Sequence, residues 1–279
     1  MIENGDDRPS PPQEVQRYYE RFAEESRLSS GPSRLEFERT KDVLSRVLPV
    51  PPGRVVDVGG AAGAYSFWLA ERGYEVHLVD ASPRLIEEAR KRARGAKRPI
   101  ESISVGDARG LPQADASADA VLVMGPLYHL TERDDRLLAL REAARVLAPG
   151  GVLAVAGISR YASALDGMTR GLSRDPAFVA MRDRDLRDGQ HRNETDRIDY
   201  FTTAYFHRPE DLVGEMESAG FRDAIVLAVE GPGWILPDLD ARWEDAALRE
   251  DLLAVARALE REPSIVGASA HLLGVGKKG

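Results

Sequence analysis

This sequence predicts an α/β fold: a mostly parallel sheet with helices on both faces. Three observations carry the prediction. The stretch Arg54–Asp80, RVVDVGGAAGAYSFWLAERGYEVHLVD, reads as strand, glycine-rich turn, helix and strand. Further short apolar runs recur at Ile100–Val105, Ala118–Met124, Val152–Ile158 and Ala224–Val229. The polar residues that can carry chemistry (Gly59–Gly63, Asp80, Asp107 and Gly125–His129) all follow strand C-termini, and an open α/β sheet gathers those ends on one edge.

Each element has a local reason. Pro12–Leu28 reads as a helix that yields to the turn Ser29-Ser30-Gly31-Pro32-Ser33. A second helix, about Leu35–Leu48, stops at Pro49 and Pro51-Pro52. Val55, Val56 and Val58 are β-branched and nearly continuous, which suits a strand buried on both faces. Gly59, Gly60 and Gly63 bring backbone N–H groups to a helix start with no Cβ to block a ligand. The helix Gly63–Arg72 is closed by Gly73, and Asp80 ends the strand Glu75–Val79, where a carboxylate can accept both hydroxyls of a ribose. Ser82 caps the next helix with Pro83 in its first turn, and the basic run Arg90–Arg98 reads as a solvated face at its exit. Thr131, with Asp134 three residues on, is placed to cap another helix, along which Leu137, Leu140, Ala144 and Leu147 share one face.

After Ile158 the pattern breaks. Residues 159–206 are polar and Arg-rich, with a helix at Pro176–Arg187, and are too long for an ordinary connection. We read 159–207 as a cap inserted at the site edge. A helix at Arg208–Ala219, a strand at Ala224–Val229, a long helix at Ala241–Arg261 and a last strand at Ala268–Val275 complete the pattern. The division is then a disordered tail (1–11), a helical lid (12–50), a nucleoside-binding core (51–158), the cap, and 208–279 as the rest of the core.

Composition narrows the function. A formal net charge of −8 weighs against a nucleic-acid partner, since phosphate contacts dominate such affinity. There is no cysteine, so thiolate chemistry and Cys-ligated metals are excluded. No apolar run reaches the roughly 18 residues of a spanning helix, and MIENGDDRPSPP lacks a signal-peptide core, so a cytoplasmic protein with no membrane partner is expected.

The turn is not a dinucleotide fingerprint: G-x-G-x-x-G read from Gly59 fails at Ala61 and Ala64. It fits acidic-x-G-x-G-x-G, as Asp57-Val58-Gly59-Gly60-Ala61-Ala62-Gly63, with Ala61 in place of the middle glycine. This resembles motif I of the class I S-adenosylmethionine (SAM)-dependent methyltransferases. Gly106-Asp107-Ala108 with Leu111-Pro112, the segment after Met124, and Leu147-Ala148-Pro149-Gly150-Gly151 extend the resemblance over Arg54–Ile158, most nearly to small-molecule enzymes of the ubiquinone/menaquinone-biosynthesis type.

The resemblance implies a Rossmann-like seven-stranded sheet with its last strand antiparallel, SAM as cofactor, S-adenosylhomocysteine as product, and no metal. It places Asp80 on the ribose and Asp107 on the adenine amine, with Ala81, Ala108, Met124 and Gly125 beside them. Asp57 either touches the SAM amine or organises the loop around it. Tyr18 and Tyr19 would close over the site; Arg34 either holds the SAM carboxylate or pairs with Glu36 or Glu38. Tyr128 would wall the sulfonium or substrate, and His129 would serve as base or as a backbone anchor. In the cap, His191, Tyr200, Tyr205 and His207 are candidates for substrate recognition. The implied reaction is methyl transfer to a small molecule, by O-methylation; N- or C-methylation, a nicotinamide oxidoreductase and a non-catalytic SAM binder are the alternatives.

Overall fold

A computed structural model describes Glu14, Val15, Arg17, Tyr18 and residues 31–279. The expected tail 1–11, most of the helix Pro12–Leu28, and Tyr19 lie outside the described residues.

Helix α1 (Gly31–Val47) leads into β1 (Arg54–Val58), α2 (Ala64–Glu71), β2 (Glu75–Asp80), α3 (Pro83–Ala93), β3 (Ser102–Val105) and β4 (Ala118–Val123). There follow α4 (Pro126–His129), α5 (Arg133–Val146) and β5 (Leu147–Ser159). The segment after β5 forms α6 (Ala162–Arg170), α7 (Pro176–Asp188), β6 (Gln190–His191) and β7 (Ala204–His207). The chain closes with α8 (Pro209–Ser218), β8 (Phe221–Ala228), α9 (Leu239–Glu244), α10 (Ala246–Leu259) and β9 (His271–Lys278).

The main sheet runs β3-β2-β1-β4-β5-β9-β8; β9 alone is antiparallel to its neighbours, lying between β5 and β8. Successive strand side chains take opposite faces. Val56, Val58, Val121 and Val123 pack with Leu140 and Ala143 of α5 and with Leu212 and Met216 of α8. Val55, Ala120 and Leu122 pack on the other face with Val43 and Leu44 of α1 and with Leu69 and Ala70 of α2. The two clusters are the two helical layers of the expected fold.

The expected sheet gains two short strands. β5 outruns β4, and β7 lies parallel to the overhang, with Ile158 opposite Phe206 and Ser159 opposite His207. β6 pairs antiparallel with β7. Strands of two and four residues within a polar stretch leave no period to read. The helix Ala162–Arg170 was not expected either; no side chain caps it.

Several boundaries move: α1 begins at Gly31, inside the expected turn, β5 begins at Leu147 rather than Val152, and β8 at Phe221 rather than Ala224. The long helix breaks at Asp245, whose carboxylate accepts from the N–H groups of Ala247 and Leu248 and so starts α10. Glu132, not Thr131, is the N-cap of α5; the Thr131 carbonyl instead accepts from Arg136 and Gln190. The last strand begins at His271 rather than Ala268, because Val266–Ala268 form a 3₁₀ turn. Among the described residues no helix is long and apolar enough to cross a membrane.

Candidate functional site

The turn after β1 is tightly packed. A Cβ on Gly59, whose φ is +73°, would lie 2.2 Å from Pro126 Cδ, at the start of α4. Only glycine lets the turn lie against the β4 exit. Ala61 holds φ 49°, the left-handed region, without glycine's freedom. Its N–H donates to Asp80 Oδ2 at 2.9 Å, while the Ser82 N–H donates to Asp80 Oδ1 at 2.8 Å. Asp80 therefore ties the turn after β1 to the turn after β2.

Asp107 sits one strand further out. Arg109 grips its carboxylate with Nε on Oδ1 at 2.9 Å and Nη2 on Oδ2 at 3.0 Å. Asp57 is fully buried; Ser66 donates to its Oδ2 at 2.6 Å, and Oδ1 has no hydrogen-bond partner among the described residues. Burial pushes the Asp57 carboxyl up to about 6, with the Asp80 charge adding to the effect.

Past β4, Tyr128 and His129 belong to α4. His129 is buried; its Nδ1 lies 3.2 Å from the Thr203 carbonyl and its ring stacks on Phe201 at 5.7 Å. A carbonyl only accepts, so Nδ1 carries the proton and Nε2 the lone pair. Burial holds the imidazole down at about 4, hence neutral at physiological pH.

The cap candidates divide. His191 packs face to face on Phe206, with Nε2 2.9 Å from the Tyr200 carbonyl and Nδ1 2.9 Å from Asp185 Oδ2. The Tyr200 hydroxyl donates to Asp175 at 2.6 Å. His207 and Tyr205 belong instead to a buried cluster. Arg136 donates to Glu215, His207 Nε2 lies 3.2 Å from Glu215 Oε2, and the Tyr205 ring lies 3.7 Å from the Arg136 guanidinium carbon. Those neighbours hold Glu215 down to about 2 against the opposing effect of burial.

Two cavities open along the edge. The larger, about 450 Å³, is walled by Gly59, Gly60, Ala61 and Ala62 of the turn, with Glu36 and Tyr65 opposite. By strand order Asp80 and Asp107 lie on one side of the turn and this cavity on the other. The second, about 250 Å³, lies between cap and core; Phe178, Tyr200, Phe201, Phe206, Trp234 and Tyr18 make it predominantly aromatic. Tyr128 and His271 line both. His129, Tyr205 and His207 line neither. Arg34 does not reach either: it donates to Glu244 at 2.9 Å and lies over Trp243.

Sequence reasoning missed Glu36, Glu230 and His271. His271 Nδ1 lies 2.5 Å from Glu230 Oε1, and Glu36 Oε2 is 3.8 Å from the same nitrogen. The Ser269 hydroxyl and the His271 N–H both donate to Glu230 Oε2. One signal pointed there: an antiparallel last strand starts at the edge where its parallel neighbours end, and a histidine stands near its start.

A family model described as a methyltransferase domain matches residues 56–155. The chain is 31% identical over 191 residues to a ubiquinone/menaquinone biosynthesis C-methyltransferase, UbiE, of Ruegeria sp., covering 66% of this chain and 72% of that protein. It is 38% identical over 125 residues to the methyltransferase GfsG of Streptomyces halstedii, covering 43% of this chain and only 44% of GfsG. In fold it resembles the crystal structure of a SAM-dependent methyltransferase, a possible histamine N-methyltransferase, from Thermotoga maritima, with a TM-score of 0.58 at 22% identity over 95% of this chain and 100% of that one.

Proposed function

This chain belongs to the class I SAM-dependent methyltransferases, and from that premise we propose that it methylates a small, flat, largely apolar acceptor bearing an ionisable hydroxyl. The observation that carries the reading is the meeting of the two cavities at Tyr128 and His271. One is walled by the glycine turn, the other by aromatic rings.

The residues present fit SAM. Asp80 and Asp107 would hold its adenosine on the β2–β3 side of the turn. The cavity on the other side, with the Glu36 carboxylate in its wall, suits the positive amine and sulfonium. Asp57 would act indirectly, by fixing the turn from beneath. SAM supplies an electrophilic methyl group when bound. The chain supplies alignment, an aromatic-lined pocket for the acceptor, and a place for the acceptor's proton; alignment alone can be worth roughly 7–11 kcal/mol in favourable cases. Tyr128, common to both cavities, would pack against the sulfonium, as aromatic faces attract cations. In this reading His129 positions the cap, through its bond to Thr203, and the cap rings recognise the acceptor.

C-methylation of a quinol is the second reading, favoured by the name of the Ruegeria relative. Titration calorimetry with SAM, S-adenosylhomocysteine and NAD tests the first step; tight binding of NAD in preference to SAM would overturn the assignment. Methyl-labelled SAM incubated with simple phenols and with a naphthohydroquinone, followed by mass spectrometry, tests the second. An oxygen-bound label supports the main reading, and a ring-bound label the quinol reading.

A further inference from the structure

We propose that His271 and Glu230 form a carboxylate–imidazole dyad that takes the acceptor's proton during methyl transfer. The proposal rests on the methyltransferase reading above and names the base for it.

The fold explains why the pair exists. β9 is antiparallel, so its first residue arrives at the edge where β5 and β8 end. Ile158, near the end of β5, lies opposite His271, and Glu230 follows the end of β8. Glu230 is almost wholly buried, and its Oε2 is fixed by the Ser269 hydroxyl and the His271 N–H. Its Oε1 faces His271 Nδ1 at 2.5 Å. A carboxylate in that place puts the imidazole proton on Nδ1 and the basic lone pair on Nε2. His271 retains about a quarter of its side-chain exposure and lines both cavities, so it stands where the acceptor and the methyl group must meet.

The other histidines of the edge are placed differently. The two nitrogens of His191 face a carboxylate and a carbonyl. His207 is buried against Glu215, and His129 lines neither cavity.

The step balances without a further reactant. The acceptor's hydroxyl proton moves to His271 Nε2. The oxygen electron pair forms the new bond to the methyl carbon, and the carbon–sulfur pair returns to sulfur. The resulting imidazolium is neutralised by Glu230, and the proton passes to solvent after product release. A general base of this kind contributes on the order of 10²–10⁴-fold in rate.

The test uses the full chain saturated with S-adenosylhomocysteine and the phenol 4-nitrophenol, whose ionisation is read from its absorbance. The ionisable groups sharing these walls with His271 are Arg92, Glu36, Glu230, Asp166, Asp199 and His191, besides tyrosines. The carboxylates disfavour a phenolate. Arg92 favours one, so a lowered apparent pKa for bound nitrophenol is assigned to the dyad by its loss in His271→Gln.

We expect that lowering in the wild type. We expect it to vanish in His271→Gln and to shrink in Glu230→Gln, with S-adenosylhomocysteine affinity within about threefold throughout. With labelled SAM and a phenol that the wild type turns over, His271→Gln should lower kcat by at least about 10²-fold. Absence of nitrophenol binding or of the lowering in the wild type, or an equal lowering in His271→Gln, overturns the dyad. So does a stoichiometric zinc or manganese complex, formed by the metal alone and lost in Glu36→Gln, which would make the cluster a metal site. Failure of S-adenosylhomocysteine to bind overturns the methyltransferase reading itself, so the two failures are separable.

Discussion

On the β1–β3 side of the sheet edge the ionisable groups are carboxylates held by near neighbours in sequence. Beyond β4, histidines are held both by near neighbours, as His191 by Asp185 and His207 by Glu215, and by groups far along the chain. Asp107 and Arg109 are two residues apart, Asp57 and Ser66 nine, Asp80 and Ala61 nineteen. His271 and Glu230 are 41 apart, and His129 and Thr203 are 74 apart. Burial disfavours the charged form of a group on each side and so moves the two in opposite directions: Asp57 is pushed up to about 6, His129 down to about 4. The first side is a local device that any chain carrying the motif can build. The second exists only once the cap and the last strand have docked.

The sharpest way to break the second side is through its buried anchor. Arg136 and Glu215 are both almost wholly buried, so Glu215→Ala strands a guanidinium. Urea denaturation should show a loss of about 3–5 kcal/mol. Because Glu215 titrates at about 2, its contribution is present above pH 4.5 and disappears as pH falls toward 2.

His129 gives the next largest effect. Its folded value lies below its unfolded one, so its contribution is full above pH 6.5 and is lost as pH falls toward 4, by about 3 kcal/mol. Asp57 runs the other way: its folded value is raised, so the stability it contributes is present at low pH and lost as pH rises through about 6. Denaturation curves between pH 4 and 8 should therefore flatten on the acid side for His129→Gln, and improve at pH 8 for Asp57→Asn. If both variants moved the same limb, the two sides would not differ as described.

On the first side, Asp80→Ala removes the carboxylate proposed to hold the ribose of SAM. SAM affinity measured by calorimetry should fall 10- to 100-fold, roughly 1.5–3 kcal/mol. Unchanged affinity would show that the turn binds through its backbone alone. The smallest effect belongs to Ala61. A left-handed alanine is strained, and glycine relieves that strain while losing some unfolded-state advantage. Ala61→Gly should stabilise the protein by roughly 0.5–1 kcal/mol in a thermal melt, with SAM affinity unchanged.

The same contrast explains what could be read from the sequence. The core strands were legible because buried parallel strands require continuous β-branched runs, and the glycine turn because close packing on Pro126 forbids a Cβ at Gly59. The cap was legible only as an interruption. Its β6 and β7 are too short to show a period, and their pairing depends on a β5 overhang that no local pattern announces. His129 drew attention by its place after β4, yet its surroundings come from Thr203 and Phe201. Asp107 was legible as a turn carboxylate; that Arg109 grips it was not, because two residues of spacing do not dictate a bidentate geometry. His271 escaped because its partner is fixed by the antiparallel closure of the sheet.

The β7 pairing has a consequence for how this protein can diverge. Phe206 packs with Ile158 and Ala204, whereas His207 turns toward Glu215. Inserting or deleting one residue within 204–207 would exchange those two faces and misplace both. Length changes in the loop 192–203 leave that parity intact. Under the proposed role of the cap in acceptor recognition, acceptor preference would then be changed by exchanging whole loops between fixed ends. The strand behaves as a reading frame: pieces of any length are admissible between 192 and 203, but a slip within β7 is a frameshift.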